Sequence, residues 1–209
     1  MMIKTLAQAS IFATSLFGAT AVLATPITFD FSNGATASNA SYLTTLEMSE
    51  GGIDLDVTAY KNTMLGWRSA YVAQWDSGLG VSGGASNTQV DGQYRDEALV
   101  FDFSQDVTLQ SISFMLFDSN DQALVLDLDA DRFWDAYIAD ISKGDMNTVD
   151  GVSSFTFSEN FVTSLMGILA LDSTDNFTVL SLTVDNQRAS VPEPSMIALL
   201  GIGLIGLGL

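Results

Sequence analysis

The one stretch whose spacing could hold a metal ion is Asp127-Leu128-Asp129-Ala130-Asp131-Arg132-Phe133-Trp134-Asp135, with carboxylates at relative positions 1, 3, 5 and 9. A calcium loop uses such spacing, and a hard cation would relieve the repulsion between carboxylates set so close together. An EF-hand loop, however, needs glycine at its sixth position and a bidentate glutamate at its twelfth. Arg132 and Ile138 stand there instead. Read as a strand, the segment places Asp127 and Asp129, with Asp131 if the strand runs on, opposite Leu124, Leu126 and Leu128. A solvated outer face is therefore the expected role and a surface calcium site the alternative. No residue is assigned as a metal ligand, and no other cofactor is expected.

A second group is aromatic: Trp67, Tyr71 and Trp75 recur every four residues, with Trp134 and Tyr137 further along. Flat rings of this kind could stack on sugars. Large aromatics more often supply buried area, so core packing is their expected role and a glycan platform the alternative.

Composition removes most other chemistry. The 209 residues contain neither cysteine nor histidine. Thiol and imidazole nucleophile systems, Ser-His-Asp triads, zinc sites and the usual haem ligation are thereby excluded, which leaves carboxylates. A carboxylate hydrolase needs two acids held apart in a cleft, one with a raised pKa. Among 25 acidic residues some pair always qualifies by number, and no stretch concentrates Glu, Arg and aromatics as a site would, so no catalytic residue is assigned. The net charge of −18 argues against nucleic acid as a partner, because such binding rests on neutralising phosphates with Lys and Arg. It favours solubility and attracts cations.

The elements that must position these groups are strands. Apolar and polar residues alternate through Phe29 and Phe31, through Ile53, Leu55 and Val57, and through Leu99, Phe101 and Phe103. Leu124, Leu126 and Leu128 continue the pattern, and Leu180, Leu182 and Val184 close it. This is the period of strands with one buried face. Turn-forming clusters separate the runs at Asn33-Gly34, Gly51-Gly52, Ser82-Gly83-Gly84, Asp91-Gly92, residues 118–121 and residues 172–176. Between Val107 and Phe117 the alternation slips: Val107 and Leu109 share one phase, Ile112, Phe114 and Leu116 the other. A bulge near Gln110-Ser111 would restore one buried face. Residues 159–171 are the one ambiguous helical candidate, with Gly167 and β-branched residues against it. The fold class expected is all-β, an antiparallel, jelly-roll-like sandwich over residues 25–185.

Both ends of the chain lie outside that domain. Residues 1–24 carry Lys4, an apolar stretch and small residues up to Ala24, the layout of a secretory signal peptide. Its removal leaves six basic residues against all 25 acidic ones, a net charge of −19. Residues 186–195 form a linker with Pro192, Glu193 and Pro194, whose prolines cannot carry a strand or helix on into the tail. Residues 196–209 lack a single polar side chain. Gly201, Gly203, Gly206 and Gly208 disfavour a water-soluble helix there and are better tolerated in a membrane one.

This arrangement resembles the PEP-CTERM proteins of Gram-negative bacteria. Pro192, Glu193 and Pro194 match the sorting signature, and Ser195 with Ala198-Leu199-Leu200-Gly201 is similar to its usual continuation. The resemblance implies transient anchoring in the inner membrane by the tail and recognition by an exosortase, a membrane peptidase that removes it. The family's terminal arginine cluster is missing. Fourteen residues at 1.5 Å each reach about 21 Å against a hydrocarbon core of about 30 Å, so the sequence is expected to stop short of the natural terminus, the alternative being a truncated gene that has lost the positive anchor. The segment from Gly78 to Phe117 also resembles domains found ahead of this tail, which carry no assigned activity. The expected function is that of a non-enzymatic protein of the envelope or extracellular matrix. The alternatives are an exopolysaccharide-binding module using Trp67, Trp75 or the Asp-rich segment with calcium, and, below it, a carboxylate hydrolase.

Overall fold

The computed structural model describes residues 25–36, 39–83, 88–93, 95–129 and 136–186. The signal segment, Asp131, Trp134, Asp135, Pro192, Glu193, Pro194 and the apolar tail lie outside the described residues, as does the side chain of Tyr137. Fourteen strands follow one another: β1 Ile27–Asp30, β2 Ser41–Leu43, β3 Leu46–Glu50, β4 Ile53–Thr63, β5 Gly66–Trp75, β6 Gly78–Ser82 and β7 Val90–Asp91. Then come β8 Glu97–Met115, β9 Gln122–Asp127, β10 Ala136–Ser142, β11 Asn147–Val149, β12 Val152–Thr156, β13 Val162–Ala170 and β14 Asn176–Asn186. The all-β, antiparallel architecture read from the alternation is what the structure shows. Among the described residues no helix is long and apolar enough to cross a membrane.

Hydrogen bonding runs in the order β1-β14-β6-β5-β4-β8-β13-β9-β10, and a further pairing of β14 with β8 closes five of these strands into a ring. Strand β8 makes both layers possible. Its first part lies between β4 and β13, and its second part between β14 and β12. The change falls where the register against β13 jumps from Leu165↔Asp102 to Thr163↔Val107. A strand that switches sheets at an irregularity is the usual way a sandwich turns its corner.

The expected bulge is present. Thr183 pairs with Ser111 and Val184 with Leu109, which leaves Gln110 as the extra residue. Val107, Leu109, Ile112 and Phe114 are consequently all buried. Gln110 turns its carbonyl to the amide of Phe157 at 3.0 Å, so the interrupted ladder is not left unsatisfied. The same phase does not reach Leu116: β8 ends at Met115, Leu116 takes φ 61° and is exposed, and Phe117 is buried in its place.

Two further readings are corrected. Residues 159–171 hold no helix but contain β13, paired with β8 on one side and β9 on the other. Its two faces are both covered, Met166, Ile168 and Ala170 in the main core and Leu169 in a second cluster. Two apolar faces explain why the sequence shows no alternation there. In β14 the register slips between Val179 and Ser181, so Leu180 leaves the phase that Leu182 and Val184 share. Val179 is buried and Leu180 only half-buried.

The main core is built on phenylalanine. Phe114, Phe117 and Phe177 pack with ring centroids 5.2–5.4 Å apart, and Phe31 meets Phe101 at 5.8 Å. Such contacts add to the area that the rings remove from water. No tryptophan or tyrosine is fully buried among the described residues; Trp67 packs, partly buried, against a smaller apolar cluster, Trp75 is half-buried and Tyr71 is exposed, so the packing role expected of them is met only in part.

Candidate functional site

The site is the outer face of the sheet formed by β5, β4, β8, β13 and β9. In β4 the residues alternate strictly: Ile53, Leu55, Val57 and Ala59 are buried in the core, while Asp56, Thr58 and Tyr60 point the other way. Register carries those outward residues across the sheet in rows, because directly paired residues share a face. One row is Glu47, Asp56, Asp102 and Leu165. The next is Thr58, Val100, Gly167 and Leu126. A third is Ser69, Tyr60, Ala98, Leu169 and Leu124. Beyond it, Asn62 pairs with Trp67. The face therefore grades from carboxylates at one end, through aliphatic side chains, to aromatics at the other.

Its floor is a small apolar cluster. Ala98, Leu126 and Leu169 are buried there, with Tyr60, Trp67, Leu124 and Leu128 packed against them. A depression of about 590 Å³ opens above this floor, with Asp56, Asp102 and Trp67 in its wall. Gly167 keeps it deep: a Cβ at that position would stand 3.3 Å from the Cδ1 atoms of Leu128 and Leu169. A second depression, about 440 Å³, runs beside Ser69 and Tyr71. The two share Thr45, Thr58 and Tyr60, so they form one extended groove. Tyr71 is 53% exposed at its far end.

Strand β9 inverts one reading of the sequence. Ala123 and Val125 face the main core, and the Leu124, Leu126 and Leu128 phase forms the groove floor. Asp127 thus sits at the margin of the core side, where its Oδ1 accepts the Thr163 hydroxyl at 2.9 Å and the Asp129 amide at 3.1 Å. Asp129 accepts the backbone amides of Ser164 and Leu165 and the Ser164 hydroxyl. Asp129 is exposed, as a solvated face requires, and Asp127 is half-buried, but neither carboxylate is free. They fasten β9 to the irregular start of β13.

Trp75, the other aromatic singled out, lies half-buried at the β5–β6 turn and donates its indole N–H to the Thr88 carbonyl at 3.1 Å. Sequence reasoning missed Tyr60, Asp56 and Asp102 in the groove. All three belong to the polar phase of a strand and read locally as exposed positions.

A second concentration of acid groups lies where the loops after β7, β8 and β13 meet. Glu97 has no exposed surface and Asp91 very little. One Glu97 oxygen accepts the Asp91 amide at 3.2 Å, and the other is buried without a partner. Burial first and the neighbouring Asp91 second push the Glu97 carboxyl up to about 8. A raised carboxyl beside a second acid is the electrostatic pattern of a catalytic pair. Here both groups are closed off from solvent, and hence from a substrate.

Residues 190–209 match the PEP-CTERM protein-sorting motif. This motif supports an exported, envelope-associated protein that carries a sorting signal, and it implies processing by an exosortase. No curated protein matches the sequence. Among solved structures, a chain described as CpGH89CBM32-6 produced by Clostridium perfringens is similar over 50% of this chain and 82% of its own, at 14% identity and a TM-score of 0.33. A likeness that low carries no weight for fold or function.

Proposed function

We propose that this protein is a non-enzymatic envelope or extracellular-matrix component whose β domain holds a polysaccharide strand in the groove over β5, β4, β8, β13 and β9. One observation carries the reading: two depressions on a single sheet face join through Thr45, Thr58 and Tyr60. A closed pocket suits a small ligand, whereas an open groove running across several strands suits a polymer lying along it. Sugar rings offer an apolar face and a rim of hydroxyls. Trp67, Tyr60 and Tyr71 supply flat apolar surface, and Asp56, Asp102 and the threonines supply acceptors and donors. Groove position favours Trp67, which lines the larger depression, over Trp75, which lies at the β5–β6 turn.

The sorting motif accounts for delivery. Export by the secretory route, anchoring by residues 196–209 and release by an exosortase would place the groove outside the inner membrane. Expression with and without residues 192–209 in a host carrying an exosortase checks delivery: equal mass and location of the two forms would remove the sorting role. Affinity electrophoresis of the full chain through gels cast with neutral, basic and acidic polysaccharides checks the groove. Retardation by at least one polymer, relieved by Trp67→Ala, is expected. Release of shortened sugars during the run would instead make the protein a hydrolase.

A further inference from the structure

The face has a polarity that selects its ligand. Glu47, Asp56 and Asp102 stand in one row across β3, β4 and β8, each directly paired with the next. All three are exposed on the groove side. Directly opposed like charges weaken a sheet, and side chains about 5 Å apart across a ladder lie well inside a Debye length of roughly 10 Å. They act on a ligand as one negative field. Among the described residues, neither lysine nor arginine lines the two depressions.

From this, and resting on the groove reading, we infer that the ligand is a polysaccharide bearing free amino groups, such as a partly N-deacetylated hexosamine polymer. Its pyranose faces would lie on Tyr60 and Trp67 while its ammonium groups meet Asp56 and Asp102. Uronate, sulfate or phosphate polymers would be repelled by the same row. A single metal ion fits less well. No three acidic side chains among the described residues come close enough together to hold one, so the charges are spread over a surface as the charges of a polymer are.

The test uses the full chain and three defined probes in calorimetric titration: a β-1,4-linked glucosamine hexamer, its fully N-acetylated counterpart and cellohexaose. The glucosamine hexamer should bind, with affinity falling as salt is raised. Asp56→Asn with Asp102→Asn should weaken it about tenfold, the size expected of two partly exposed charge contacts. Asp150→Asn with Glu159→Gln removes the same charge from exposed positions away from the groove, and should leave affinity within about twofold. Trp67→Ala should also weaken binding. Both Asp positions are exposed, so melting should be unchanged or raised; if the double variant fails to fold, Asp102→Asn alone is measured.

Equal binding of all three hexamers, insensitive to the Asp pair but lost in Trp67→Ala, would overturn the amino-sugar assignment and leave the groove. Equal weakening by the groove pair and the distant control pair would reduce the effect to net charge, and overturn it as well. Abolition of binding by EDTA would reassign the row to a metal. Failure of every hexamer to bind would remove both the assignment and the groove.

Discussion

Asp121 and Asp175 brace each other's loops reciprocally. Asp121 Oδ1 accepts the amide of Asn176, the residue after Asp175, at 2.8 Å; Asp175 Oδ1 accepts the amide of Gln122, the residue after Asp121, at 2.9 Å. Asp121 also takes the Asp118 amide, and Asp175 those of Leu171 and Asp172. The loop from β8 to β9 and the loop from β13 to β14 are thereby locked together although they lie far from each other in sequence. Asp175→Ala should strand three amides and cost about 2–4 kcal/mol, since unpaired buried donors forfeit their desolvation. Asp175→Asn keeps one acceptor oxygen and should cost less. Because the two aspartates hold one junction, Asp121→Ala with Asp175→Ala should cost less than the sum of the single losses. Urea unfolding of the original protein, the two single variants and the double variant measures this, and simple additivity would show that the two braces are independent.

Glu97 makes stability depend on pH in an unusual direction. Its carboxyl ionises near 8 in the folded protein against an ordinary value of 4.5, so between those limits the folded state holds a proton that the unfolded state has lost. Stability must then fall as pH rises through that window. Below the window the group is protonated in both states and contributes no slope. Asp121 and Asp175 are also raised, chiefly by burial, and add to the slope in the same sense at the acid end. Glu97→Gln supplies a permanently neutral side chain of the same shape. It should flatten the profile, so that its stability relative to the original protein rises with pH and is greatest above pH 8, where the original carboxyl has lost its proton. Thermal melting from pH 5 to 9 would test it, and a variant whose profile parallels the original would place the slope elsewhere.

Much of this fold is legible in the sequence because a strand with one buried face writes its period into local composition. Ile53, Leu55 and Val57, or Leu99, Phe101 and Phe103, need no neighbour to be recognised. The Gln110 bulge is legible for the same reason: a phase slip inside a continuous apolar run has few other resolutions. What is not legible depends on partners distant in the chain. β13 is apolar on both faces because β8 and β9 flank it and two clusters receive it, so its period vanishes. β9 shows a clear alternation whose leucine phase faces the groove, and nothing local says which phase meets the larger core. The groove is hardest of all. Asp56, Tyr60, Asp102 and Trp67 become neighbours only through the register of β5 on β4 and β4 on β8. The β11–β12 hairpin, by contrast, carries a local signal: Asp150-Gly151 is a dipeptide suited to a tight turn, and both residues take positive φ, 50° and 84°.

Two glycines separate steric from conformational demands, and alanine at each distinguishes them. At Gly80, in the middle of β6, a Cβ would lie 2.1 Å from the Thr88 carbonyl oxygen and 2.6 Å from the Cα of Gln89. Both are backbone atoms, so no side-chain rotation relieves the contact. The segment leading into β7 would have to retreat, which strains the Val81 amide bond to Gln89 O and the Trp75 indole bond to Thr88 O. At Gly151 φ is +84° but nothing stands within 4 Å of the added carbon. Gly151→Ala should therefore cost only the left-handed penalty, about 1–2 kcal/mol. Gly80→Ala, with ordinary backbone angles, should cost about 3 kcal/mol or more through overpacking against main chain. It should also change the tryptophan fluorescence, since Trp75 loses its fixed partner. Chemical denaturation followed by fluorescence reads both effects. A Gly80→Ala protein as stable as Gly151→Ala would mean that β7 can slide outward at little expense, and that the close approach of residues 88–89 to β6 is not needed to hold this side of the domain.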